Sequence, residues 1–327
     1  MGLSYPVLGL LTAGLAVAVP LLMGLFWQPR KKLAGKHVLI TGGSKGIGLA
    51  LAEEFVRRGS HVTVVARKQV DLVDALQMLT GLSETLGLSC KLQALSADTS
   101  NPEQITEALR KAIDVAGPID VLICNAGLSL PGRFVDQDME MFERQVQVNY
   151  LGTVATVKAA LPAMLARKQG HIVLVASALA VLGFAGYASY APSKWAVRGL
   201  ADCLRNELQG TGVTVSVGYP PDTDTPGYAH EQLSKPDICK QVNKALGSEL
   251  FPASKVAQLL ARGIERGAYH LPTPDLGQVL LVDSMASISP KPLGALGCLL
   301  APIVYLVTAV LRRQADNAAR RCNQRTA

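Results

Sequence analysis

Between residues 33 and 271 the chain alternates short, β-branched apolar runs with longer amphipathic stretches, and few architectures accept that pattern. The runs are 37–41, 61–66, 91–96, 121–125, 171–177 and 214–219. Most are apolar without alternation, as strands covered on both faces are. Between them lie 47–58, 70–86, 102–115, 139–165 and 190–208, which have the length and period of crossover helices. Repeated βαβ units predict an α/β fold with a doubly wound parallel sheet between two helical layers.

At 327 residues the chain has room for one such domain of roughly 250 residues plus extensions. Apolar residues make up 49% and charged residues only 17%, which points to a large buried sheet, membrane segments or both. Residues 3–27 carry no charge, and about 20 helical residues cross a bilayer core. A signal peptide would place basic residues first; here Arg30, Lys31 and Lys32 follow the apolar stretch. The expectation is an uncleaved transmembrane anchor over 1–29, kinked at Pro20, with the body in the cytosol by the positive-inside rule. A second apolar stretch, 293–311, is flanked by Lys291, Arg312 and Arg313. It can span, re-enter, or cap the core or a dimer interface as an ordinary helix, and its flanks do not decide. Residues 272–311 are read as a membrane-associated or substrate-entry segment, and the polar, basic tail 312–327 as disordered.

The net charge of +7 gathers beside these apolar ends, and aromatics are only 5% of the chain. That placement suits anionic membrane lipid and argues against nucleic acid. The six cysteines form no CxxC pair, so no metal site is expected and buried free thiols in a reduced compartment are the simpler reading.

Thr41-Gly42-Gly43-Ser44-Lys45-Gly46-Ile47-Gly48 follows the first strand and opens the first helix. Glycine is needed where such a turn is tight, where backbone approaches a pyrophosphate and where helix packs on strand. The helix start then offers free N–H groups and a positive dipole end to phosphate. Together with Cys124-Asn125-Ala126-Gly127, this string resembles the short-chain dehydrogenase/reductase family, over about residues 35–228. The resemblance implies a Rossmann-type fold and a nicotinamide cofactor cradled by Gly42, Ser44, Lys45, Gly46, Ile47 and Gly48. It also implies a cofactor contact at Asn125, an adenine contact at Asp98 and an active-site Asn149. Charge selects the cofactor. An NAD site ends its second strand in an acid that accepts from the ribose 2′-OH. Here the run ends in Ala66-Arg67-Lys68 with no carboxylate near it, so Arg67, Lys68, Lys45 and Ser44 are expected to bind the 2′-phosphate of NADPH.

Tyr190-Ala191-Pro192-Ser193-Lys194 places Tyr and Lys at i and i+4, on one face of a helix. An ammonium beside a phenol lowers its pKa, and a tuned phenol can protonate a carbonyl oxygen as hydride arrives at carbon. Ser177, thirteen residues earlier, can stabilise the developing alkoxide. The resemblance assigns Tyr190, Lys194, Ser177 and Asn149 to catalysis, places Thr223 and Thr225 at the nicotinamide carboxamide, and has Asn149 hold a water between Lys194 and solvent.

Tyr219-Pro220-Pro221-Asp222-Thr223-Asp224-Thr225-Pro226-Gly227 carries Pro221-Asp222 where the family has Pro-Gly. With 148–152 and the apolar N-terminus, it resembles the branch of the family that reduces a long-chain sphingoid ketone. That implies conversion of 3-ketosphinganine to sphinganine at the cytosolic face of the endoplasmic reticulum membrane. Asp222 or Asp224 can face the substrate's amino group or cap a turn, the simpler role. A membrane-bound steroid or retinoid dehydrogenase and a non-catalytic lipid- or cofactor-binding scaffold are the alternative functions. Homo-oligomers through the long helices are common in the family.

Overall fold

The computed structural model describes residues 31–285 and 290–326. The expected anchor lies outside the described residues. Six parallel strands, β1 (His37–Thr41), β2 (His61–Ala66), β3 (Leu92–Ser96), β4 (Val121–Cys124), β5 (Gly170–Val175) and β6 (Val213–Gly218), pair in the order β3-β2-β1-β4-β5-β6. All six predicted strands are present, two with the predicted bounds and four with ends shifted by one or two residues.

Alternate residues of these strands face opposite helical layers, which is why the runs are apolar throughout. Val38, Ile40, Val62, Val64 and Ile123 pack beneath α1 (Gly46–Arg57), α2 (Gln69–Thr85) and α9 (Ala253–Glu265). Leu39, Val65, Leu122, Ile172 and Val215 face α3 (Pro102–Ala116), α5 (Gly152–Arg167) and α6 (Ala191–Glu207). Each such side chain, wholly removed from water, contributes about 1.5–3 kcal/mol. Local signals agree with this packing: Asn101 caps α3 by accepting from Glu103 and Gln104 N–H, with Pro102 at the first helical position.

The predicted helix over 139–165 is divided. α4 (Met139–Val146) passes through a π-helical turn, Gln147–Leu151, into α5. That wider turn carries Asn149, and π turns are frequent at functional sites.

Beyond β6, short elements close the site. These are α7 (Pro226–Ser234), α8 (Asp237–Ala245), the two-stranded pair β7 (Thr223–Asp224) and β8 (Phe251–Pro252), and α10 (Leu276–Ser284). The chain ends in α11 (Ala295–Thr326), 32 residues long, lying against α8 and α10. This corrects the expectation of a disordered tail. Val304, Leu311, Ala318 and Cys322 recur at intervals of seven and four, and this inward stripe holds the polar half of the helix to the body. Among the described residues no helix is long and apolar enough to cross a membrane.

Ala318→Arg places a long cation on the buried stripe. It is expected to raise amide exchange across 295–326 while leaving β1–β6 protected, which hydrogen-exchange mass spectrometry reads.

Candidate active site

The loop between β1 and α1 is shaped by what it must clear. Gly42 adopts φ +65°, and a Cβ there would lie 2.8 Å from the Ala126 Cα; at Gly48 it would lie 2.1 Å from the Gly42 carbonyl oxygen. Asn125 ties the loop down: its Nδ2 donates to the Thr41 and Gly42 carbonyls at 3.1 and 3.2 Å. Its role in this structure is thus to hold the cradle. Helix α1 starts at Gly46 without a side-chain cap, so its first N–H groups face the space above the loop. The cradle fits a pyrophosphate.

Ser44 and Lys45 lie in the loop after β1, and Arg67 and Lys68 directly follow β2, the strand paired with β1. Two carboxylates join them, which corrects the view that the end of β2 lacks acids. Asp71 of α2 pairs with Lys45 at 2.9 Å, and Asp98 Oδ2 lies 3.9 Å from Arg67. The fold brings Asp98 across from the end of β3, a proximity no reading along β2 can reveal. Asp98 Oδ1 accepts from the Ser100 N–H and hydroxyl, so the expected adenine residue also shapes the turn into α3. Arg67 and Lys45 stay more than half exposed, with donors to spare for a phosphate.

Ser177, Tyr190, Lys194 and Asn149 converge at the ends of β4 and β5. Lys194 is buried, and its Nζ donates to the Val175 carbonyl at 3.0 Å. Asn149 is fully buried; its Oδ1 accepts from Leu128 N–H at 2.8 Å, and its Nδ2 donates to the Leu128 carbonyl and Ser193 Oγ at 2.9 Å each. With every side-chain hydrogen-bonding group of Asn149 engaged, the wall around Gly127 is rigid. A Cβ on Gly127 would come within 3.2 Å of both Asn149 Oδ1 and Lys194 Nζ. Ser177 Oγ accepts from Leu179 N–H at 3.2 Å and is hydrogen-bonded to Tyr190.

The electrostatics differ from expectation. Burial pushes the Tyr190 phenol up; the Ser177 hydrogen bond pulls it down, and the Glu231 and Asp222 carboxylates add to the rise. Lys194 does not offset this, because its ammonium sits 5.9 Å from the Tyr190 ring centre and is itself desolvated, its pKa lowered to about 8. Thr223 donates to the Pro221 carbonyl at 2.7 Å, and Thr225 Oγ1 caps α7 by accepting from Tyr228 N–H at 3.0 Å. One hydroxyl keeps lone pairs free and the other its proton, a pair suited to a carboxamide.

These groups line a cavity of about 400 Å³ that extends past Leu182 and Phe184 to Val304 and Leu311 of α11. The sequence reading made 272–311 a membrane-associated or substrate-entry segment, which includes Val304 and Leu311 of α11, but it named no residue of α7 beyond Gly227. The 304–311–318 spacing marks the inner face of α11, but nothing in the sequence marks Tyr187 or Glu231 as its neighbours. Among the described residues no cluster suited to a metal occurs.

Lys194 supplies a test through stability. Its folded pKa of about 8 lies below the ordinary 10.5, so the folded state binds fewer protons between these values and stability rises with pH there. The buried charge costs its full amount below about pH 8. The unfolding free energy of wild type minus that of Lys194→Met is expected to climb from pH 8 to 10 by up to roughly 3 kcal/mol, in urea titrations across the range; the difference removes the opposite slope of the buried Cys124 and Cys239 thiols, which both proteins share.

The short chain dehydrogenase family matches residues 36–235. A 3-ketodihydrosphingosine reductase of Dictyostelium discoideum is 36% identical over 297 residues, 87% of this chain and 88% of that protein. A 3-dehydrosphinganine reductase of Danio rerio is 36% identical over 241 residues, covering 73% and 71% of the two chains. Among solved structures, a variant of actinorhodin polyketide ketoreductase with NADPH superposes with a TM-score of 0.67 at 27% identity, covering 74% of this chain and 97% of the other. Fold, cradle and the Ser177–Tyr190–Lys194 group agree with these likenesses: the chain belongs to the short-chain dehydrogenase family.

Proposed function

We infer that the chain is an NADPH-dependent ketoreductase that converts the C3 ketone of 3-ketosphinganine, a long-chain sphingoid ketone, to the alcohol of sphinganine. One observation carries the reading. Ser177, Tyr190 and Lys194 share a cavity whose apolar wall runs out to the C-terminal helix, room for a ketone bearing a long tail. Relatives that align over most of the chain bear the name of that activity.

When bound, NADPH supplies the hydride that reaches the ketone carbon. Arg67, Lys68, Lys45 and Ser44 would hold its 2′-phosphate, and Gly42, Gly46, Ile47 and Gly48 its pyrophosphate. Ser177 accepts from Leu179 N–H and so keeps its own proton for a second partner. It and Tyr190 together can hold the ketone oxygen. Burial keeps the Tyr190 phenol protonated at neutral pH, which suits a reductase, since the phenol must give its proton to the forming alkoxide. Proton return runs through Lys194 along the wall that Asn149 makes rigid.

The proposed station is the cytosolic face of the endoplasmic reticulum membrane. Charge and exposure support it: Arg30–Lys32 follow the apolar N-terminus, and α11 exposes Ile303, Tyr305, Leu306 and Val310 within about three turns of Arg312 and Arg313. A bilayer-dissolved tail then meets the cavity beside α11.

NADPH oxidation by the detergent-purified full chain tests the reading. Turnover of 3-ketosphinganine, lowered about 10²–10⁴-fold by Tyr190→Phe, is expected. Turnover only of ketosteroids or retinal would overturn the substrate, undiminished turnover by Tyr190→Phe would overturn Tyr190 as the proton donor, and no oxidation with any of them despite NADPH binding would leave a scaffold. Arg67→Glu is expected to raise the KM for NADPH roughly tenfold or more with little change for NADH, read in the same assay.

A further inference from the structure

Two carboxylates line the cavity close to the Tyr190 proton donor: Asp222, just past β6, and Glu231 on α7. Glu231 Oε1 accepts from the Tyr187 phenol at 2.5 Å and pairs with Lys235 Nζ at 3.6 Å. Both contacts fall on Oε1, so Oε2 has no partner among the described residues. Asp222 Oδ2 accepts from Asn243 Nδ2 at 2.9 Å, and among the described residues no cation pairs with it. The Lys235 ammonium is buried between the Tyr187 and Tyr228 rings, at 5.5 and 5.6 Å, and balances one of the two charges. Lys194 also lines the cavity but donates to the Val175 carbonyl at 3.0 Å and pairs with neither acid, so a negative charge remains beside Glu231 and Asp222 on an otherwise largely apolar wall. The other lining acids are placed differently, since Glu249 is exposed and Asp275 caps α10.

Position gives this charge its meaning. The Tyr187 and Tyr190 ring centres are 6.0 Å apart, and the Tyr187 hydroxyl ends on Glu231. The carboxylate thus stands one phenol away from the group that protonates the ketone oxygen. The field of both acids reaches Tyr190, whose phenol they help to raise.

We propose that Glu231, seconded by Asp222, receives the substrate's protonated amine, one carbon from the ketone, and thereby selects α-amino ketones over neutral ketones. This rests on the reductase reading above and assigns the residues that recognise its polar head. A half-buried carboxylate oxygen without a partner is costly, and an ammonium from the substrate satisfies it. A neutral ketone of the same length fills the apolar wall equally but leaves that oxygen unpaired, so discrimination arises from the unpaired group.

The test compares 3-ketosphinganine with 1-hydroxyoctadecan-3-one, the same chain with hydrogen in place of the amine. Their ratio of kcat/KM is measured by NADPH oxidation in the wild-type full chain, in Glu231→Gln and in Asp222→Asn. The wild type is expected to favour the amino ketone roughly 10- to 100-fold, the worth of one charge-assisted hydrogen bond. Glu231→Gln should bring the ratio near one, and Asp222→Asn should lower it less. A wild-type ratio near one overturns the proposal without recourse to any variant. So does a Glu231→Gln enzyme slowed equally on both ketones, which would make Glu231 a strut for Tyr187 and Lys235. A wild type that reduces neither ketone while binding NADPH overturns the reductase reading and this proposal with it.

Discussion

Strand order turns between β1 and β4, so the helices that follow these two strands leave on opposite faces and a crevice opens above the sheet. A crevice of this kind is useful only if its two lips hold still. Here the lips are sewn together: Thr41 Oγ1 accepts from the Asn125 and Ala126 N–H groups, and the Asn125 amide returns two bonds to the loop after β1. Everything above takes its position from this seam. The glycine loop rests on it, and Gly127, two residues on, forms the wall against which Lys194 and Asn149 pack.

The chemistry draws on burial more than on charge pairing. A phenol and an ammonium taken out of water are both pushed toward their neutral forms, the phenol upward and the ammonium down to about 8. For a reductase the first shift is useful, because the proton must be present when hydride arrives. The second is a cost to the fold that the active site imposes, and it places Lys194 near the solution pH, where proton exchange with a neighbour is easiest.

Strand positions, crossover helices, the glycine loop and the Ser177–Tyr190–Lys194 set were legible because each depends on local pattern or short spacing. The π turn at Asn149 was not, since it replaces one helical bond pattern by another without altering the apolar period across 139–165. Asp98 facing Arg67 was hidden for a different reason: the two come from neighbouring strands, and only the β2–β3 register sets them together. The tail was misread because its polar composition conceals a sparse inward stripe, Ala318 and Cys322, sufficient once α8 and α10 are there to receive it. Glu231 and Tyr187 are 44 residues apart, and no periodicity joins them.

The wall farthest along the chain, α11, belongs to none of the βαβ units that build the cradle and the proton donor. The cofactor cradle and the apolar far wall of the cavity are therefore carried by separate stretches of sequence. Substitutions at Val304, Val307 or Leu311 can lengthen, shorten or bend the space for a hydrocarbon while the seam at Thr41–Asn125 stays as it is. Within one scaffold the reaction is held constant and the reach of its substrate is left free to drift.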